Sequence, residues 1–182
     1  MKKNTRRKYL IPAVACLVVM AGFVYSYFFA SMAAGNETRY VYIDTDDTVD
    51  SVYTKLADVS SLNGMEGFKT LVRHSHYADN IRTGRYAIKP GEGAFTVFRH
   101  MKNGLQSPVS LTVPSVRTLD RLAAELSKRL MVDSAAIYEA LSDEAICKKY
   151  GYDTATVAAL FIPNTYDIYW NVSVEKLLDR MK

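Results

Sequence analysis

The chain has 182 residues, a formal net charge of +4 and a sequence pI near 9.0. Lys2, Lys3, Arg6, Arg7 and Lys8 supply five positive charges within the first eight residues, so everything from Tyr9 onward carries −1. The basic balance is a local flank rather than a footprint for phosphate backbones, which excludes nucleic acid as the expected partner. Cys16 and Cys147 form no disulfide framework, and His74, His76 and His100 are the only histidines, with His74-x-His76 too sparse to define a metal site. A Walker loop, a GxSxG elbow and an HExxH helix are absent, so neither a cofactor nor a metal is expected.

Tyr9 to Met32 contains no charged side chain, and roughly 20 apolar residues suffice to cross a ~30 Å hydrocarbon core as a helix. The five basic residues precede it, and no Lys or Arg follows until Arg39. Positive charge beside the first span stays cytoplasmic, so residues 1–8 read as a cytoplasmic tail, residues 9–32 as an anchor in the lipid bilayer, and the remainder as exported. The expected location is a bacterial inner membrane, crossed once. A cleavable signal would have a shorter apolar core of about 7–15 residues, although Ser31-Met32-Ala33 would serve as its cleavage site.

Residues 33–38 are short and polar, a tether. Thr38 to Ile43 alternates with the period of a half-buried strand, and Asp46 or Asp47 is available to cap a helix carrying Val49, Val52, Tyr53, Leu56 and Val59. Gly64 separates this helix from a second, over Met65 to His74. Tyr86 and Ile88 then mark a strand, Pro90-Gly91 a turn, Phe95, Phe98 and Met101 a helical face, and Gly104 a left-handed stop. A strand returns at Val109 to Val113. Beyond Pro114 the pattern is helical, with Thr118, Asp133 or Ser134, and Ser142 as caps, and Gly151 as a stop. Ser173 caps a final helix whose stripe of Val174, Leu177, Leu178 and Met181 would be exposed, and the pattern reads as cut mid-helix at Lys182.

Gly84, Tyr86, Ile88 and Gly91, followed by Met101, Gly104 and Pro114, resemble the pattern of the endolytic murein transglycosylase (MltG, YceG-like) family. Leu160-Phe161-Ile162-Pro163-Asn164-Thr165-Tyr166, continuing to Trp170, is similar to that family's aromatic-rich run E-G-F-L-F-P-D-T-Y. Asn164 stands where Asp is usual, Ala158-Ala159 where Glu-Gly is usual, and Pro114-Ser115-Val116 where P-E-G is usual. The resemblance implies an α+β fold class: an N-terminal transmembrane helix, a small LysM-like α+β module over residues 39–113, and the helical start of a transglycosylase catalytic domain over residues 114–182. It implies a lyase that cleaves the MurNAc-GlcNAc bond of nascent glycan strands and leaves 1,6-anhydro-MurNAc ends. Peptidoglycan glycan strands are the implied substrate and cell wall synthases the implied partners.

Such chemistry needs one carboxyl group kept protonated by burial. The family's glutamate lies in a segment resembling S-I-x-E-x-E-T, which has no counterpart in this chain; Asp167 and Glu175 are the fallback acids. Tyr166, Tyr169 and Trp170 offer flat faces and Asn164 and Thr165 polar groups, the mixture a sugar groove requires, whereas without the resemblance the same run reads as an aromatic core corner. Two alternatives come from other classes. One is a noncatalytic membrane-tethered wall-binding or scaffold module. The other is a eukaryotic type II membrane protein glycosylated at Asn36-Glu37-Thr38 and Asn171-Val172-Ser173.

Overall fold

The structure, a computed structural model, describes residues 3–182, with side chains described from Ile11 onward. Of the basic tail expected over residues 1–8, the backbone from Lys3 onward already belongs to the first helix, and the rest lies outside the described residues and side chains. The fold is mixed α+β with two small sheets, and the chain divides into two compact units, residues 1–82 with 86–105 and residues 83–85 with 106–182.

The first unit begins with α1 (Lys3–Phe29), which contains Pro12. Its Ile11–Phe29 portion is, among the described residues, the one helix long and apolar enough to cross a membrane, compatible with a single-pass anchor or a signal sequence. The helix stops at Phe29, short of Met32. Met32 is fully buried in the core of this unit, and the chain around it is bonded on both sides. Its N–H donates to Glu92 O (2.8 Å), Ser61 N–H donates to Met32 O (2.7 Å), and Ala34 N–H donates to Val59 O (3.0 Å).

Strand β1 (Arg39–Ile43) buries Val41 and Ile43 and exposes Tyr40 and Tyr42, the expected alternation. Helix α2 (Val49–Ala57) is capped by Thr48, whose hydroxyl accepts from Ser51 N. The aspartates expected at that cap do otherwise. Asp47 accepts from Asp44 N (2.7 Å) and Ser51 Oγ (2.6 Å) and pairs with Lys55 Nζ (2.5 Å), which also reaches Asp44 (3.2 Å). Burial alone would raise the Asp47 pKa, but the bonds from Lys55, Ser51 and the Asp44 backbone outweigh it and hold this carboxyl below its ordinary value.

Helix α3 (Leu62–Arg73) starts earlier than the periodicity predicts, with Ser61 as cap. Gly64, expected to separate two helices, lies inside it. A side chain there would sit 2.7 Å from the Met32 backbone, so this glycine marks a close approach rather than a break. Strand β2 (Gly84–Ile88) pairs with β1, and α4 (Ala94–Asn103) ends at Gly104 in the left-handed conformation, φ 70°. The core closes around Phe68, Tyr77 and Phe98, whose ring centroids lie 6.0–6.2 Å apart.

In the second unit β3 (Val109–Thr112) pairs antiparallel with β4 (Thr165–Ile168), Val109 opposite Ile168 and Leu111 opposite Tyr166. The returning strand read as closing the first module therefore belongs to a different sheet, and β4 occupies a stretch read as a groove wall. Four helices complete the unit: α5 (Leu119–Ser127), α6 (Ser134–Ser142), α7 (Glu144–Tyr150) and α8 (Val174–Met181). Asp133 caps α6 through Ala136 N, and Asp143, not Ser142, caps α7 through Ala145 N and Ile146 N. The Leu177, Leu178 and Met181 stripe of α8, expected to be exposed, is buried with Leu111, Leu126 and Ile137. Tyr150 ties α7 to α8 by donating its hydroxyl to Asp179 Oδ1 (2.7 Å); burial first, then this carboxylate, pushes the phenol up to about 12.

Candidate functional site

The second unit carries two clefts, the first with a further cavity beside it, each built from local chain events. At the end of β3, Val113 N–H still donates to Asn164 O (2.8 Å), but Pro114 has no N–H and the ladder stops. Residues 114–118 then cross to Thr118, the first residue outside α5. Facing them is one turn of 3-10 helix, Val157–Leu160, followed by Phe161 to Pro163. A cleft of about 330 Å³ lies between, lined by Pro114, Ser115, Val116, Ala158, Ala159 and Ile162 among others. A second cavity of about 720 Å³ shares Pro114, Ser115 and Val116 and adds Arg117, Arg121 and Glu125. Glu125 is the carboxylate on this wall, and its Oε1 is engaged by Lys128 Nζ at 2.7 Å. Asp120, beside the same loop, is held below its ordinary pKa chiefly by the hydrogen bond from Thr118.

The other cleft, about 400 Å³, lies where β4 runs out toward α8 and is lined by Pro108, Asp167, Tyr169, Val172, Lys176 and Arg180 with Ile168. Lys176 and Arg180 are one helical turn apart and so share a face.

The sequence-predicted residues divide between these surroundings because a strand alternates sides. Asp167 and Tyr169 line the second cleft, and Tyr169 is 56% exposed. Asn164 and Thr165 are exposed; Asn164 Oδ1 accepts from Thr165 N (2.8 Å) and the Thr165 hydroxyl meets that of Thr112 (3.1 Å). Tyr166 turns toward the core and donates its hydroxyl to Ile162 O (3.0 Å), and Trp170 packs half-buried against the same core. The fallback acids are both exposed: Asp167 accepts from Ser110 Oγ (3.1 Å), and Glu175 lies 3.8 Å from Lys149 Nζ. Among the described residues no charged residue is buried, and no group of three potential metal ligands occurs.

The YceG-like family matches residues 41–182. This chain belongs to that family. The match begins inside β1 and runs through both units. A crystal structure of a yceG-like protein from Listeria monocytogenes resembles the chain at 20% identity with a TM-score of 0.37, covering 81% of this chain and 54% of that one. The chain thus spans about half the length of that YceG-like structure. No curated protein sequence matches it.

Loop 114–118, Arg121 and Glu125 were not legible as site residues, since none belongs to the aromatic run. The signal that could have found them is in the motif comparison itself. Ser115 and Ala158 are the two positions at which the sequence resemblance expects Glu, and the structure brings both to the wall of one cleft.

Proposed function

We propose that this chain acts in murein glycan processing as a membrane-anchored lytic transglycosylase of the YceG-like type, with peptidoglycan strands as substrate and 1,6-anhydro-MurNAc ends as product. The observation that carries the reading is the cleft between residues 114–116 and 158–163, two segments whose sequences resemble family motifs with departures at Ser115 and Ala158. Its wall of Pro114, Val116 and Ile162 presents apolar faces, and Ser115, Arg117, Arg121 and Glu125 present polar groups alongside. Those are the surfaces a sugar chain requires, since pyranose rings alternate CH faces with hydroxyl edges. Asp167, Tyr169, Lys176 and Arg180 provide a second surface of the same mixed kind.

In this reading α1 holds the chain in the bacterial inner membrane with the N-terminus cytoplasmic, the rest of the first unit acts as a LysM-like module, and the second unit, with β3 in its sheet, belongs to the catalytic domain. Cell wall synthases are its expected partners. The general acid must be buried to hold its proton. Asp167 and Glu175 lack that burial, so the residues described here contribute groove and positioning.

The absence of a buried charged residue among the described residues supports a second reading, a tethered wall-binding module that does not cut. The test uses the full chain reconstituted in vesicles and incubated with uncrosslinked glycan strands, with products resolved by mass spectrometry. Strands that cosediment with the vesicles are the expected result for a chain that supplies groove and positioning. Fragments ending in 1,6-anhydro-MurNAc would carry the transglycosylase reading further, intact bound strands would favour the binding module, and strands that neither bind nor break would overturn both readings.

A further inference from the structure

Helix α8 sorts its charges by side. Its two acids turn to α7: Asp179 Oδ1 accepts from the Tyr150 hydroxyl (2.7 Å), and Glu175 lies 3.8 Å from Lys149 Nζ. Its bases, Lys176 and Arg180, line the cleft of about 400 Å³ at the end of β4 instead, and among the described residues no hydrogen bond or ion pair engages either side chain. Asp167 is the one acid in the lining, and Ser110 Oγ already donates to it (3.1 Å). Two cations against one carboxylate leave the cleft with one net positive charge. Leu177, Leu178 and Met181 are buried on the other side of α8, so both bases are carried on a helix anchored in the core.

The rest of the lining is apolar or aromatic: Pro108, Ile168, Val172 and the exposed ring of Tyr169. An apolar wall with a few converging charges is the build of a small-ligand cleft. Bare sugar has no use for that charge, since pyranose rings, hydroxyls and acetylated amines are all neutral. The carboxylates of a murein strand lie on the short peptides attached to its muramic acid residues. Arginine meets a carboxylate with two parallel N–H donors, and a lysine four residues away on the same helix reaches the same group.

We propose that this cleft binds the terminal carboxylate of a short peptide carried by a glycan strand, with Arg180 and Lys176 on the carboxylate and Tyr169 and Val172 against the peptide's apolar side chains. The proposal rests on the reading of glycan strands as substrate. It adds to that reading a preference for peptide-bearing strands over bare ones.

The test is cosedimentation of uncrosslinked, peptide-bearing strands with the full chain in neutral phosphatidylcholine vesicles. The strands are used as isolated and after carbodiimide amidation, which neutralises carboxylates and leaves sugars and phosphates unchanged. Amidation should weaken binding at least about fivefold, and Lys176→Gln with Arg180→Gln should weaken binding of untreated strands as much while leaving that of amidated strands unchanged. Lys148→Gln with Lys149→Gln removes the same two charges from α7 and should bind untreated strands as the parent does. Equal binding of both strand forms by the parent protein overturns the carboxylate site and leaves the glycan reading standing. A loss in the α7 variant equal to that in the α8 variant also overturns it, as an effect of bulk charge. Parent protein that binds neither form overturns the glycan reading and the proposal together.

Discussion

Met32 offers the sharpest test of how α1 joins the first unit. Met32→Ala removes three buried heavy atoms from a side chain with no solvent exposure. At about 0.8 kcal/mol per buried methylene-sized group, transfer alone costs about 2.4 kcal/mol. The residual cavity raises this toward about 3–4 kcal/mol, because both neighbours, Gly64 on α3 and the Glu92 carbonyl, are held by backbone and collapse only partly. Each 1.4 kcal/mol is a factor of about ten in an opening equilibrium, so amides of the first unit should exchange about 100 to 1,000 times faster. Peptide-resolved hydrogen exchange on the full chain in detergent reads this directly. Segments 31–34 and 59–61 should lose protection, while α5 to α8 of the second unit keep theirs, and Leu62→Ala, at an open position, should change nothing. A loss below about threefold, or one shared equally by both units, would refute the account of Met32 as a plug specific to the first core.

Gly67→Ala sets two effects against each other. Helix propensity favours it by about 1 kcal/mol, but the new methyl would sit 2.5 Å from the Tyr27 carbonyl, so α1 and α3 must part; lower thermal stability, with loss of protection at Ser61 and Thr70 amides, is expected. Asp47 has a folded-state pKa below its ordinary 3.8, so its contribution is present above that value and is lost as pH falls through the folded pKa. Asp47→Asn should therefore destabilise the first unit near pH 7 by about 1–3 kcal/mol, and in calorimetry the gap from the parent protein should narrow as pH falls below 3.8 and the carboxyl takes up its proton. Ala158→Trp fills the cleft of about 330 Å³ beside Pro114–Val116, and glycan cosedimentation should fall at least tenfold with exchange protection of the second unit unchanged; retained binding would exclude this cleft as the groove.

What was legible in advance was local. Gly104 and Gly151 adopt the left-handed conformation their positions after helices suggest, and Asp133 and Ser173 cap α6 and α8. Each depends on bonds within four residues. Thr48 replaces Asp46 or Asp47 as the cap of α2 because Lys55, a full two turns further on, recruits Asp47 into an ion pair. The candidate site was legible only in part for a related reason. The run from Asn164 to Trp170 was read as one polar and aromatic wall, but pairing of β4 with β3 sends alternate side chains to opposite sides: Asp167 to a cleft, Tyr166 to the core.

The sequence by itself determined the apolar helix, the alternation of strands and helices from β1 to β3 and the family, because those reside in composition, period and short motifs. Tertiary structure alone decided which strand closes which sheet, why Gly64 and Gly67 are glycines, where the α8 stripe is buried, and that residues 114–116 face residues 158–163. The physical reason is distance along the chain. A cap or an amphipathic stripe is written within a few residues, whereas the partner of β3 lies more than fifty residues away and a glycine's purpose is set by the backbone that passes over it.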